Sequence, residues 1–494
     1  MSTLVALARA QALAAGRAQP ITTVRHLHVH DRPLVLIPLA MAGEANAPLA
    51  AMAGSAPDQP RLLVVSQPRN RDERFAFFAA LAEAVVPYLD SFAGVTEAVP
   101  VDRGRDVRHR FVDAPQVWVP NPGGVDFLRL LGRSTRFRRT DGDFPVPASV
   151  PRLGQWLTFL ASTAEVPGSS LLVNAVQALG GHWATGQSAA EDAHLGSLFA
   201  WITEGAAAAR EAENGPVAGP ATDPSFDNEV LAPLITAADP ALTGVLSDLL
   251  TPTWERMWKS IELLRGRPAG ARVGARWDSD RDAYSAYVEH LIEDGSPQPR
   301  RDGAVAAAAR LQRLENAAAR YAVQRAFDDP LVMAEHRLTG AAFGAVVTLA
   351  KADRIDDSGK RPVLRPRIMV ATTETVRVEP GANLTSPARP SQKAKVISVT
   401  PGPAGTDVVL ELSGGMGRKL VAEPGSVPEV GEQLLLTTLS EAYRPGAAFP
   451  DPADTPWTHG GPPGSSAEAD EQEGDVVGAA RGGVDQAAAQ LFRG

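Results

Sequence analysis

The apolar residues of this 494-residue chain change their period twice. Alternation by two belongs to strands and spacing by three and four to helices, so the chain cannot be one uniform architecture. From residue 21 to about 145, strand-like pieces (TTVRHLHVH, LVLIPL, RLLVVS, QVWVP) alternate with helix-like ones (RDERFAFFAALAEAVVPYL, VDFLRLLGRS). Residues 1–145 are therefore expected to form an α/β domain, with TTVRHLHVH and LVLIPL as a hairpin turning at Asp31-Arg32-Pro33. The prolines of TDGDFPVPASVP mark a boundary.

Between 150 and 336 nearly every segment reads as helix, and an all-helical domain is expected. It includes RDAYSAYVEHLIED, with a start signal at Asp280. Its last helix spaces Ala304, Ala307, Leu311, Leu314, Ala318 and Tyr321 by threes and fours, as in one arm of an antiparallel helical pair. From 337 to 458 the β-branched runs GAAFGAVVTLAKADR, RPVLRPRIMVATTE, AKVISVTP, DVVLELSG and EQLLLTTL predict a small β-barrel, OB-like or SH3-like. Residues 459–494 read as a disordered acidic tail, because GGPPGSSAEADEQEGD cannot bury enough apolar area to order itself. A short amphipathic helix at its end sets Val484, Ala488, Leu491 and Phe492 on one face as anchors for a protein partner. The expected class is multidomain α+β.

Composition narrows the chemistry. The absence of cysteine excludes disulfides, thiol catalysis and Cys-ligated zinc. No apolar run approaches the roughly 20 residues that span a bilayer, so a soluble, cytoplasmic protein without membrane contact is expected. The start, MSTLVALARAQALAAG, lacks a positive charge ahead of its apolar part and carries Arg9 within it, which argues against a secretory signal; it reads as a helix begun by Ser2 or Thr3. Arginine outnumbers lysine 42 to 6, a bias that suits phosphate but also follows from a GC-rich coding sequence. A net charge of −9 confines any nucleic-acid contact to local patches.

HLHVH puts His26, His28 and His30 on one face of a strand, where three imidazoles could hold zinc in a hydrolytic site. With no HExxH helix and no second His/Asp cluster, the preferred reading is a solvated strand face without cofactor. Asp278, Asp280 and Asp282 resemble the start of a calcium loop but lack its Gly and distal Glu. Neither a phosphate-binding GxxxxGK[ST] loop nor a Gly-x-Ser-x-Gly elbow occurs.

Two strand-to-helix loops are the expected anion-binding places, with Arg69, Asn70 and Arg71 on one and Asn121, Gly123 and Gly124 on the other. Arg133, Arg136, Arg138 and Arg139, close to Arg129, form the most basic stretch, and Arg418 and Lys419 sit at a hairpin tip of the barrel. Together these features point to a non-catalytic accessory subunit that binds nucleic acid beside a partner ATPase or nuclease. The alternatives are a His-ligated metal hydrolase and a phosphate or nucleotide sensor.

Overall fold

A computed structural model describes residues 2–451 except 45–46, 102–104, 216–218, 403–404, 442–445 and 447. The described residues up to 298 and from 316 to 441 form one compact unit, and the described residues of 299–315 and 446–451 belong to another. The tail expected at 459–494, with Val484, Ala488, Leu491 and Phe492, lies outside the described residues.

A five-stranded sheet organises the first unit. Its strands are β1 (Leu34–Ala40), β2 (Pro48–Gly54), β3 (Arg61–Val64), β4 (Val117–Val119) and β5 (Leu172–Asn174), in the order β3-β2-β1-β4-β5. The pairs β1/β4 and β4/β5 are parallel, while β2 and β3 extend the sheet by antiparallel pairing. Strands buried on both faces show no alternation, and LVLIPLA has none.

Helices cover both faces. Leu34, Leu36, Val117, Val119 and Leu172 pack under α2 (Arg71–Asp90), α3 (Pro122–Thr135) and α4 (Ser149–Thr163). The intervening Val35, Ile37, Leu39, Trp118 and Val173 pack against α5 (Ala175–Gly180), α6 (Leu195–Thr203) and α7 (Ala241–Arg265). The stretch after 150 thus supplies one strand and helices for both faces of the first domain's sheet, so the break at 145–150 does not separate two cores. β5 is hidden in the sequence because its three residues run straight into α5, and periodicity cannot separate so short a buried strand from a helix.

Helix α8 (Val273–Glu293) begins seven residues before the expected start at Asp280, and its Trp277, Tyr284, Tyr287 and Val288 join the first core. Helix α9 (Ala304–Asp328) confirms the helical reading of that segment, and α10 (Pro330–Thr339), capped by the Asp329 side chain, leads into the barrel. The amino-terminal helix, Thr3–Ala15, is capped by Ser2.

The barrel is present, closed and antiparallel. Its strands are β6 (Ala342–Lys351), β7 (Arg367–Thr372), β8 (Asn383–Ser386), β9 (Arg389–Gly402), β10 (Gly405–Ser413) and β11 (Gln433–Thr437), in the order β6-β7-β10-β9-β8-β11. Phe343, Val347, Ile368, Val370, Leu384, Val396, Val408, Leu410 and Leu434 fill it. Strand β8 escapes the sequence pattern because NLTS carries one large apolar residue.

Helices α3 and α4 meet through glycines. A Cβ on Gly154 would lie 2.4 Å from the Arg136 amide, and one on Gly132 would lie 2.6 Å from the Thr158 hydroxyl. Gly154→Ala should therefore destabilise the protein by about 1–3 kcal/mol in denaturant unfolding, the usual range for an overpacked core. A loss below about 0.3 kcal/mol would mean that the helices can part at no cost.

Candidate functional site

The histidine segment is not a strand. Residues 21–31 form an irregular strap, and the expected hairpin is absent because β1 pairs with β2 and β4 instead. Buried backbone outside a sheet still needs hydrogen-bond partners; a short bridge from Arg25 to Pro268 and Gly270 and a bond from Ile21 to the His182 carbonyl provide some, and side chains provide the rest. Asp329 accepts from the Thr23 amide at 2.6 Å, His182 Nε2 from the His26 amide at 3.1 Å, and the Ser170 hydroxyl from the His28 amide at 3.1 Å. Arg276 donates to the His26 carbonyl at 3.0 Å, and Arg265 to the His30 carbonyl at 2.8 Å. Gln116 is the centre of this set. Its oxygen accepts from the His30 amide at 3.0 Å and Trp118 Nε1 at 2.8 Å, and its nitrogen donates to the carbonyls of His28 at 2.8 Å and Ser170 at 2.9 Å.

The solvated face expected for the histidines is overturned, since His26 is 2% exposed and His30 8%. Their rings also have different neighbours. His26 lies over His182, His28 stacks on Trp277 at 4.0 Å, and His30 donates from Nε2 to Asp113 at 2.8 Å while its Nδ1 accepts from the Arg32 amide at 2.9 Å. Burial and the nearby charges of His30 and Arg25 push His28 down to about 4, so it is neutral at pH 7. Among the described residues no group of three or more His, Asp or Glu side chains is placed to hold a metal ion.

The three aspartates fall on two sides of α8, Asp278 and Asp282 on one and Asp280 on the other. Asp278 and Asp282 pair with Arg110 at 3.4 and 3.5 Å. Asp280 is buried and accepts from the Ser170 amide at 2.7 Å.

At the first expected anion loop, Asn70 caps α2 by accepting from the amides of Asp72 at 2.9 Å and Glu73 at 3.2 Å. Those two acids already make that helix end negative. Arg69 pairs with Glu44, and Arg71 bonds Asp72 and the Phe144 carbonyl, both at 2.9 Å. At the second loop Asn121 accepts from Gly124 N at 3.1 Å and donates to the Gly219 carbonyl at 2.7 Å. Pro220 lies where a Cβ on Gly123 would be, and Val119 crowds the same position on Gly124. Here the glycines admit the protein's own chain, which covers the helix end expected to receive an anion.

The expected arginine patch is likewise divided. Arg136 is 5% exposed and donates to the Gln298 carbonyl at 2.8 Å, so it is a packing residue. Arg138 donates to the Ser134 carbonyl at 3.0 Å, and Arg139 pairs with Asp141 at 3.2 Å. Arg129 pairs with Asp126, whereas Arg133 is exposed and makes no ion pair among the described residues. Of these arginines only Arg136, the residue that follows α3, is turned inward, which a count of charges cannot show.

The barrel gathers its cations instead. Register places Lys351 beside Arg367, Arg367 beside Glu411, Glu411 beside Lys395 and Lys395 beside Asn383, so five outward side chains form one row across five strands. Arg354 at 2.7 Å and Arg367 at 3.1 Å share Glu411, leaving that carboxylate with an excess of positive charge. Lys393 stands two residues along β9 on the same face. Lys351, Lys393 and Lys395 are exposed and make no ion pair among the described residues. Nearby, Lys360 and Arg361 are exposed on the small hairpin formed by Ile355–Asp356 and Val363–Leu364. Arg418 and Lys419 are exposed in the loop that follows β10. The row could not be found in the sequence because it depends on register between strands up to 60 residues apart.

No protein-family model, curated protein or solved structure matches the chain.

Two outcomes test the strap. Gln116→Leu leaves four buried polar groups without their partner and should cost at least about 3 kcal/mol in denaturant unfolding, since each such group costs about 1–3 kcal/mol; a loss under 1 kcal/mol would contradict its role. Burial pushes the Asp280 carboxyl up to about 7, above the roughly 3.9 of a free aspartate. Between about pH 4 and 7 the folded chain keeps a proton that the unfolded chain has lost, so this group makes stability fall as pH rises across that window and level off above it. Asp280→Asn removes this contribution, and the Tm of the unsubstituted protein should drop relative to the variant between pH 5 and 8. Parallel curves would contradict the assignment.

Proposed function

We propose that the protein is a non-catalytic accessory factor that binds the backbone of duplex nucleic acid through its barrel, beside a partner that supplies ATPase or nuclease chemistry. The observation that carries this reading is the transverse row of Lys351, Arg367 and Lys395, with Lys393 adjacent and Glu411 as the single acid within it. Five of the six lysines lie between residues 351 and 419, in a chain whose net charge is −9. At an inter-strand spacing of about 4.8 Å, Lys351 and Lys395 are separated by three strand spacings, roughly 14 Å measured around the curved wall of the barrel, so a ligand that meets both has to follow that curve.

Duplex is preferred over single strands on chemical grounds. Barrels that hold single strands stack bases on exposed aromatic side chains. Residues 342–437 contain one aromatic, Phe343, and it is buried. A face of ammonium and guanidinium groups without rings suits phosphates and reads no base sequence.

Fluorescence anisotropy with a labelled 20-base-pair duplex tests the reading. The unsubstituted chain should bind with a steep inverse dependence on salt, and Lys351→Gln/Lys393→Gln/Lys395→Gln should flatten the plot of log K against log salt by about 2–3, near one per lost contact. The same slope in both proteins would remove the barrel from the interaction. Absence of duplex binding by the unsubstituted chain at low salt would end the proposal.

A further inference from the structure

A cleft of about 350 Å³ opens beside the strap, well away in sequence from the barrel row. The edge strand β5 and helix α5 contribute Val173, Asn174 and Gln177, the strap contributes His26, and α9 contributes Tyr321 and Arg325. Its volume is at the lower end for small-molecule sites, and its walls mix apolar surface with a few polar groups, the usual composition of such sites.

Two polar groups in the cleft each keep a nitrogen without a hydrogen-bond partner. Arg325 makes no ion pair among the described residues, and its Nε is buried without an acceptor. Its guanidinium lies over the Tyr321 ring, 5.8 Å from the centroid, on which Arg276 also rests at 5.3 Å. His26 is 2% exposed, and its Nδ1 has no hydrogen-bond partner. Its Nε2 is paired with the buried Asp329 carboxylate at 3.5 Å. Other polar groups around the cleft are committed. His182 bonds the Ala178 carbonyl through Nδ1 at 2.6 Å and the His26 amide through Nε2, and the Asn174 oxygen caps α5.

Buried polar atoms without partners are uncommon, and each calls for a reason. A guanidinium without an acid partner and an imidazole Nδ1 without a hydrogen-bond partner line the same cleft, a positive charge and a polar atom open to a ligand. We infer that the cleft binds a small oxyanion, a carboxylate or phosphate on a compact organic body, with Arg325 as the charged contact, Tyr321 as a flat wall and His26 as a hydrogen-bonding group at the inner end. Glu165, the one carboxylate among the lining residues, pairs with Arg129 at 3.5 Å, and the state of His182 reflects the nearby cations. Its burial, with the charges of His26, Arg267 and Arg325, pushes it down to about 4, despite its bond to Ala178. This site is independent of the barrel face and of the proposed duplex binding.

Isothermal titration of the full chain with inorganic phosphate, adenosine monophosphate and citrate separates the possible sources of the oxyanion. At least one of these should bind saturably at one site per chain. Arg325→Gln should weaken that binding at least tenfold. Gln177→Glu, at an exposed position where folding is not at risk, should weaken it severalfold by placing a negative charge on the cleft wall. The Lys351/Lys393/Lys395 triple Gln variant should bind as the unsubstituted chain does. If none of the three probes binds saturably, or if the Arg325 and Gln177 variants both stay within twofold of the unsubstituted chain, the inference is overturned; should Arg325→Gln fail to fold, Gln177→Glu alone decides.

Discussion

The carboxamide of Gln116 reconciles a buried, non-sheet segment with a close-packed sheet. The strap at residues 21–31 touches other backbone at Ile21 and at Arg25, which bridges to residues 268–270, so most of its remaining amides and carbonyls depend on side chains, and an unpaired buried backbone group costs as much as a lost hydrogen bond. Gln116 sits one residue before β4 and is fully buried, so its four bonds tie the strap, the Ser170 carbonyl ahead of β5 and the Trp118 indole to one point. Charges from distant elements complete the attachment. Asp329 links Thr23 to the cap of α10, and Asp328 holds Arg272, 3.1 Å away at the start of α8. Burial pushes the Asp329 carboxyl up, but the His26 ring and the amides of Thr23 and Leu331 outweigh this and hold it well below the usual carboxylate range.

This constraint separates structural polar groups from those free to act. In the first domain Gln116, His30, His182 and many arginine side chains are occupied in holding chain to chain, as Arg136 is with Gln298 and Arg265 with His30. Exposed ion pairs such as Arg139 with Asp141 contribute little to stability, but they do reduce the local positive field. The barrel differs because its lysines project from rigid strands with few acids between them. The strands of a closed barrel fix the positions from which these side chains project, although each lysine keeps its own rotamer freedom to lose on any contact.

What could be read from the sequence followed from local pattern. Helices α2, α3 and α9 and the barrel strands β6, β7, β9, β10 and β11 all carry their period within one segment. Hidden features were those set by partners far away in sequence. HLHVH alternates as a strand should, yet β1 takes its edge positions with β2 and β4, leaving the strap to side chains. The glycines at 123 and 124 look like a phosphate loop but serve close contact with Pro220 and Val119. Tyr321 was visible as part of a helical seam, whereas Arg325, one turn later, carried no signal at all until α9 was set beside β5 and the strap.

Lysine footprinting tests the central claim, that phosphate recognition belongs to the barrel face rather than to the loops of the first domain. The full chain, acetylated at low reagent with and without duplex, offers five lysines in the barrel region and Lys259 on α7 as an internal reference. The result expected is protection of Lys351, Lys393 and Lys395 with Lys259 unchanged. Duplex binding that leaves all three as reactive as in the free protein would contradict it.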